Sequence, residues 1–450
     1  MRIKLGIPLK LRMVKRILNS PISGDDDKRI IEYVSTDTRE LSPGDLFFPL
    51  KGDKLSGERF VKKAKEIGGI TVSAENSLAD ITVKDTGEAL LLLAEKYRSL
   101  IKLRHRIAIT GSVGKTTTKE LVSKILGSKF RIHATEGNLN NEIGVPLTIL
   151  SAPEDTEILV IEAGMNHKGE LSRLSKCINP TIAVITSIGT AHIGNLGSER
   201  AIEEAKGEIA DYLTPCGVLI APRECAYFQG MKNLITTSYK TEDASFCTRL
   251  NSDGSFSVRG GRYSIDKLNL SLSGEHIRRC MSSVAAVADV VGLSEGELIS
   301  SAREIVKLCS DKKVILAKGL ILIDDSYNAS YESIKCSIES ELKHGDLSLC
   351  LGDILELGDY TRDIHRSIGA LCKKYQIKRL YLFGAFTTHI KDGALEAGVD
   401  ENAIFINEDL NNPEKTAVQI LKTSKKADRI LFKASHKTAL SRIIKIIESM

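Results

Sequence analysis

The run Ile107-Ala108-Ile109-Thr110-Gly111-Ser112-Val113-Gly114-Lys115-Thr116-Thr117-Thr118 reads as an apolar strand, a glycine turn and the first turn of a helix. Those residue types in that order make a phosphate cradle. Gly111 and Gly114, with Ser112 and Val113 between them, let the backbone turn sharply and approach an anion, and the free N–H groups of the new helix point at phosphate oxygens. Lys115 would neutralise β/γ-phosphate charge, and the hydroxyl of Thr116 or Thr117 would join a magnesium shell. The longer nucleotide-binding pattern wants glycine at position 109, where Ile109 stands, so this is the compact G-x-x-G-K-T-T form.

Other chemistry-bearing residues follow apolar runs. Ile158-Leu159-Val160-Ile161 leads into Glu162, a carboxylate at a strand's C-terminal end, where open α/β sheets bind ligands. Glu162 could hold the magnesium that bridges nucleotide phosphates. The run from Ile182 to Ser187 leads to His192 in the same way. Lys206 lies in the helical stretch Ser198 to Tyr212. Buried near a metal, its amine would lose its proton readily and could take up carbon dioxide as a carbamate. Further on, Leu322-Ile323 runs into Asp324-Asp325-Ser326-Tyr327-Asn328. Asp324 or Asp325 could accept from ribose hydroxyls, Asn328 could approach the phosphates, and either Asp could instead cap a helix. Leu347 to Leu351 delivers Gly352-Asp353-Ile354-Leu355-Glu356, acidic groups suited to an acceptor with a free ammonium.

These groups need elements to hold them. The first stretch, to about residue 102, reads as a small α/β unit with an apolar run at Asp45 to Leu50 and helices at Gly57 to Gly68 and Thr86 to Leu103. From Arg106, apolar runs at 107–110, 158–163, 181–188 and 218–222 alternate with helical segments, the mark of a mostly parallel sheet covered by helices. Thr236 to Asp266 reads as an antiparallel extension, followed by helices at Glu275 to Val291 and Ser294 to Leu308. A third α/β series begins near Cys309, with strands expected at 320–324, 347–351, 379–384 and 429–433. A length of 450 residues suggests about three domains.

Bulk properties exclude some classes. Lys and Arg number 63 against 58 Asp and Glu, scattered, which gives no reason to expect a nucleic-acid or membrane surface. No run approaches ~18 apolar residues, and Met1 to Ser20 lacks the apolar core of a signal peptide, so no membrane insertion is expected. Nine cysteines without a C-x-x-C pair fit reduced thiols in a cytoplasm.

In their order, these residues resemble the Mur ligases. The likeness runs from Asp37-Thr38-Arg39, Pro43-Gly44-Asp45-Leu46-Phe47 and Leu50-Lys51-Gly52 through the phosphate loop. It continues in Gly137-Asn138-Leu139-Asn140-Asn141-Glu142-Ile143-Gly144-Val145-Pro146, Glu162, His192, Lys206, Asp324 to Ala329 and Gly352 to Gly358. The resemblance implies an α/β protein of three domains: a small UDP-substrate domain at 1–102, a central P-loop ATPase-type domain at 103–309, and a Rossmann-like domain at 310–450. It implies an ATP-dependent ligase, monomeric and working on small molecules, that adds D-alanyl-D-alanine to a UDP-muramoyl tripeptide through an acyl phosphate in cell-wall precursor synthesis. A Mur-type ligase with another acceptor, or a non-catalytic nucleotide-binding relative, is the alternative. By analogy Thr116, Glu162, His192 and Lys206 hold two magnesium ions, Lys206 as its carbamate, and Thr38, Arg39, Asn140, Asn141, Asp353 and Glu356 contact substrates.

The chain departs from that pattern at three places. The family's G-x-H-N-x-x-N helix start reads Gly274-Glu275-His276-Ile277-Arg278-Arg279-Cys280, without the two amides that help hold adenine. A Gly-Arg pair that meets the γ-phosphate is replaced near Asp311, leaving Lys312 or Lys313, which lack the bidentate fork. Asp37-Thr38-Arg39 stands for D-S-R and keeps the hydroxyl.

Overall fold

A computed structural model describes residues 1–52, 56–75, 78–191, 193–270, 275–305 and 313–450. The helix Thr86–Arg98 shows how the first domain is anchored. Asp85 caps it by accepting from Glu88 N–H at 2.9 Å, and Leu90, Leu93, Ala94 and Tyr97 repeat at helical spacing on its buried face. Tyr97 carries the contact into the central domain, its hydroxyl donating to Ala152 O at 3.2 Å. Burial raises that phenol to about 12, so it stays a neutral donor.

Three sheets organise the described residues. The first runs Arg2–Lys10, Ile30–Ser35, Leu46–Phe47, Ile70–Ser73 and Ile81–Thr82, antiparallel only at its first pairing. In the nine-stranded central sheet, the phosphate-loop strand His105–Thr110 lies between Ile158–Glu162 and Ile182–Ile185, parallel to both. This neighbourhood sets the C-terminal ends of all three strands along one edge. Ile132–Ala134 borders it on one side; on the other come Val218–Pro222, Leu234–Ser238 and Phe246–Leu250, still parallel. Only Phe256–Gly260 and Tyr263–Leu268 turn antiparallel, so the antiparallel extension is shorter than expected. The helices Lys115–Gly127 and Glu275–Val291 cover one face, packing Leu121, Val122, Ile125, Met281, Val284 and Val287 against Ile107, Ile109 and Val160.

The third sheet contains the four strands expected, Leu320–Asp324, Leu347–Gly352, Leu380–Phe383 and Arg429–Lys433, and two more: Ile404–Asn407, and Lys313–Ala317 as an antiparallel edge. The last strand in sequence, Arg429–Lys433, inserts between Leu320–Asp324 and Leu347–Gly352. Its following loop therefore emerges in the middle of the sheet edge, beside the loops that leave Asp324 and Gly352.

Candidate active site

Gly111 has φ +148° and Gly114 φ +89°, backbone that favours glycine. A Cβ at Gly111 would stand 2.0 Å from Thr186 Oγ1 and 3.1 Å from the backbone nitrogens of Thr186 and Ser187. The approach is close because Thr186 and Ser187 leave their strand to bind the loop. Ser112 N–H donates to Ser187 O and Val113 N–H to Ser187 Oγ, both at 2.9 Å, while Thr186 Oγ1 donates to Val113 O at 2.7 Å. These bonds end the strand at Ile185, earlier than the apolar pattern suggests. Lys115 folds its Nζ back onto Gly111 O at 2.7 Å; burial lowers its ammonium from the ordinary lysine value, and the Glu162 carboxylate pulls the other way.

Glu162, 2% exposed, is held on every side but one. Its N–H donates to Thr135 Oγ1 at 2.9 Å, its Oε1 accepts from Asn140 Nδ2 at 2.8 Å, and its Oε2 has no partner among the described residues. A buried, unsatisfied carboxylate oxygen beside a phosphate loop is the donor a divalent cation needs, so the residues present fit magnesium. Lys206 is also 2% exposed, on the helix Glu199–Gly207, with its amine held well below the ordinary lysine value by burial and then by the charge of Lys115.

A cleft of about 480 Å³ opens between the phosphate loop and the third domain. Lys115, Thr116, Asn140 and Glu162 line it from the central domain; Tyr327, Asn328, Glu356, Ser435, His436 and Lys437 face them from the third. Asn138 Nδ2 donates to Tyr327 Oη across it. Ser435 Oγ accepts from Leu355 N–H at 2.9 Å, and the His436 ring lies 5.7 Å from that of Tyr327. Sequence reasoning missed Ser435 to Lys437 and Tyr327; the sole signal for the former was their position after an apolar strand.

A second cavity, about 620 Å³, lies on the other side of the loop, sharing Val113 and Gly114 with the first. Tyr239 lies in it with the guanidinium groups of Arg278 and Arg279 at 5.2 and 5.1 Å from its ring centroid. Of the two positions where the amides are missing, Ile277 is buried in the core, and Cys280 sets its thiol against Gly114 O at 3.8 Å.

Several expected site residues have other partners. Both Asp353 oxygens accept backbone N–H groups, from Ala385 at 3.0 Å and Phe386 at 2.9 Å, and the residue is 4% exposed, so its carboxylate, expected beside an acceptor ammonium, is engaged within its own domain. Asp324 turns onto Ser326, accepting its N–H at 3.1 Å and its hydroxyl at 2.5 Å, and lines neither cavity; its neighbour Asp325 pairs with Lys433 at 2.9 Å. Asn141 Oδ1 accepts from Ile143 and Gly144 N–H at 3.1 and 2.9 Å, capping the helix Gly144–Leu150 instead of facing the cleft. Arg39 is exposed and paired with Asp37, and Thr38 is buried beside it, both away from the cleft lining. His192 and Lys312 lie outside the described residues, as do Gly274 and the side chains of Glu275 and His276. Each cysteine among the described residues is a free thiol, and no helix there is long and apolar enough to cross a membrane.

A compact phosphate loop facing an acidic strand end, on a mostly parallel sheet flanked by two further α/β domains, belongs to enzymes that activate a substrate with a nucleoside triphosphate. Residues 109–287 match the Mur ligase middle domain. The chain belongs to the Mur ligase family. It is 37% identical to the UDP-N-acetylmuramoyl-tripeptide–D-alanyl-D-alanine ligase of Bacillus subtilis, with 97% of each chain covered. Among solved structures, a MurF crystal structure from Acinetobacter baumannii superposes with TM-score 0.85 at 24% identity over 100% of both chains. The MurF ligase of Thermotoga maritima, in complex with ADP, superposes with TM-score 0.78 at 25% identity, covering 92% of this chain and 97% of that one.

Proposed function

We propose that the cleft between the central and third domains joins D-alanyl-D-alanine to a UDP-N-acetylmuramoyl-tripeptide, driven by ATP, in the synthesis of peptidoglycan precursor. A carboxylate resists nucleophiles because of its charge. Transfer of the γ-phosphoryl group to the tripeptide's terminal carboxylate gives an acyl phosphate and ADP. The amine of the dipeptide then attacks the acyl carbon, phosphate leaves, the amide forms, and the amine's proton passes to solvent.

The chain's own groups support each stage. Lys115 and the first N–H groups of its helix hold the β- and γ-phosphates, an electrostatic and positional contribution to catalysis. Magnesium, when bound, would offset charge on the transferring phosphoryl group; Glu162 through its unpartnered Oε2, Thr116, and by family analogy His192 and Lys206 would hold it. The lowered amine of Lys206 favours its carbamate: its neutral nitrogen bonds the carbon of carbon dioxide, one proton leaves to solvent, and a neutral buried amine becomes an anion. The base of ATP would lie in the cavity that holds Tyr239, stacked on an aromatic ring instead of read by side-chain amides. Residues 1–102, with Thr38 and Arg39, are assigned to the UDP end of the substrate, 103–309 to ATP, and 310–450, with Asn328 and Glu356, to closing the cleft. The free thiols support a cytoplasmic setting, and we assign a monomer.

The observation that carries this reading is Glu162 Oε2, buried beside a phosphate loop and unpartnered among the described residues. The test is a panel crossing UDP-muramoyl di-, tri- and tetrapeptides with single amino acids and dipeptides, read as ADP and phosphate release. Release is expected with the tripeptide and D-alanyl-D-alanine together. Turnover with a single amino acid and none with the dipeptide would overturn the acceptor assignment.

A further inference from the structure

Residues 186–191 are fastened to the phosphate loop and to the third domain, and residues 193–197 to the third domain. Glu332, on the helix Tyr331–Glu341, accepts from Thr190 N–H at 2.9 Å with one oxygen and from the Thr190 hydroxyl at 3.1 Å with the other. Its carboxylate fills the space that a side chain at Gly189 would need, because a Cβ there would lie 2.8 Å from Glu332 Cδ. Gly189 O in turn accepts from Ser112 Oγ at 3.4 Å, and two residues earlier Ser187 binds the Ser112 and Val113 amides. One peptide unit therefore separates a third-domain carboxylate from the phosphate loop. Further along, Gly194 N–H donates to Glu356 O at 3.0 Å and Tyr360 Oη donates to Gly197 O at 2.9 Å.

A carboxylate this near bound phosphates would repel them unless its charge were already engaged. Glu332 directs each oxygen at a donor on Thr190, which fits an anchor better than a metal ligand. The helix that carries it is fixed at its start by a reciprocal pair of bonds between Ser330 and Ser333, so the anchor moves with the third domain as a body.

We infer that Glu332 is a positioning residue for nucleotide binding: seated on Gly189 and Thr190, it holds Ser187 where that residue shapes the Ser112 and Val113 amides around phosphate. The inference rests on ATP as the occupant of the loop. The loop reaches its phosphate-binding shape only with the third domain docked, so nucleotide affinity depends on a residue that touches no nucleotide.

Four variants test this: Glu332→Ala, Glu332→Gln, Gly189→Ala and the Gly189→Ala/Glu332→Ala double. The Gly189 methyl displaces the Glu332 carboxylate while leaving Glu332 and Thr190 in place. Magnesium-ADP and magnesium-ATP affinities are read by calorimetry, KM for ATP and kcat by ADP release, and folding by thermal midpoint. Each alanine variant is expected to weaken nucleotide binding and raise KM by about tenfold, with kcat and the midpoint little changed, as loss of two bonds to one charged acceptor would give. Glu332→Gln, which keeps one acceptor and the volume, should lose less, and the double variant no more than either single. Unchanged affinity in Glu332→Ala, additive losses in the double variant, or a fall in kcat at constant affinity would overturn the inference. Failure of the wild-type protein to bind nucleotide at all would count instead against the ATP reading.

Discussion

Replacing Lys206 by methionine should make the protein more stable and almost inactive, two opposite effects with one structural cause. Lys206 is 2% exposed and, among the described residues, forms no hydrogen bond or ion pair; burial and the Lys115 charge hold its amine well below the ordinary lysine value. In the unfolded chain the same amine titrates near ~10.4. Between the lowered folded value and that one, the unfolded state binds a proton that the folded state lacks, so stability rises with pH across the window and the residue costs stability below it. Methionine keeps the length and removes the charge. In metal-free, carbon dioxide-depleted buffer at neutral pH, relief of a buried polar group without a partner is worth ~1–3 kcal/mol. For a domain of about 200 residues each kcal/mol moves the melting midpoint by roughly 2–4 °C. The gain should shrink as pH rises toward the ordinary lysine value. In the ADP-release assay the same variant should lose about a hundredfold to a thousandfold in kcat, the loss typical when one preorganised charge-stabilising group is removed. The smaller variant Lys206→Ala should be partly rescued by short carboxylates. Carbon dioxide depletion should slow the wild type and leave the methionine variant unchanged. A methionine variant with full activity, or one that melts earlier than wild type in that buffer, would refute the reasoning.

Two glycines separate backbone strain from close approach. Gly254→Ala, at φ +83° with open space around it, should cost ~1–2 kcal/mol and leave nucleotide affinity alone. Gly111→Ala adds a collision with the Thr186 hydroxyl and tight contacts with the Thr186 and Ser187 backbone nitrogens; it should cost ~1–3 kcal/mol more by denaturant titration and weaken ATP binding, and equal costs at the two sites would show that the approach is unimportant. Asp353→Ala strands the Ala385 and Phe386 N–H groups and should lower stability by ~2–5 kcal/mol with KM for the dipeptide unchanged. A raised dipeptide KM without loss of stability would return Asp353 to the acceptor site.

Much of the fold was legible because apolar runs are local. His105–Thr110, Ile158–Glu162, Val218–Pro222 and the four expected strands of the third sheet sit within a few residues of where the pattern puts them. In the second and third sheets, the strands Ile132–Ala134, Lys313–Ala317 and Ile404–Asn407 escaped; they lie at sheet edges, where half-exposed residues blur the apolar signal. The run at 181–188 overshot because Thr186 and Ser187 are drawn off the strand by a loop more than seventy residues earlier in the chain.

The sequence by itself determined the chemistry of residues 111–116, because a glycine turn, a lysine and a helix start act through neighbours in the chain. It could not choose among acidic strand ends. Glu162 and Asp353 look alike along the chain, yet one carboxylate keeps an unpartnered oxygen and the other is consumed by two backbone amides thirty residues on. The insertion of Arg429–Lys433 into the middle of its sheet, which brings Ser435 to Lys437 to the cleft, is likewise invisible in order. Tertiary structure decided these points because a buried group's hydrogen-bond partners come from strands that are distant in sequence and adjacent only when folded.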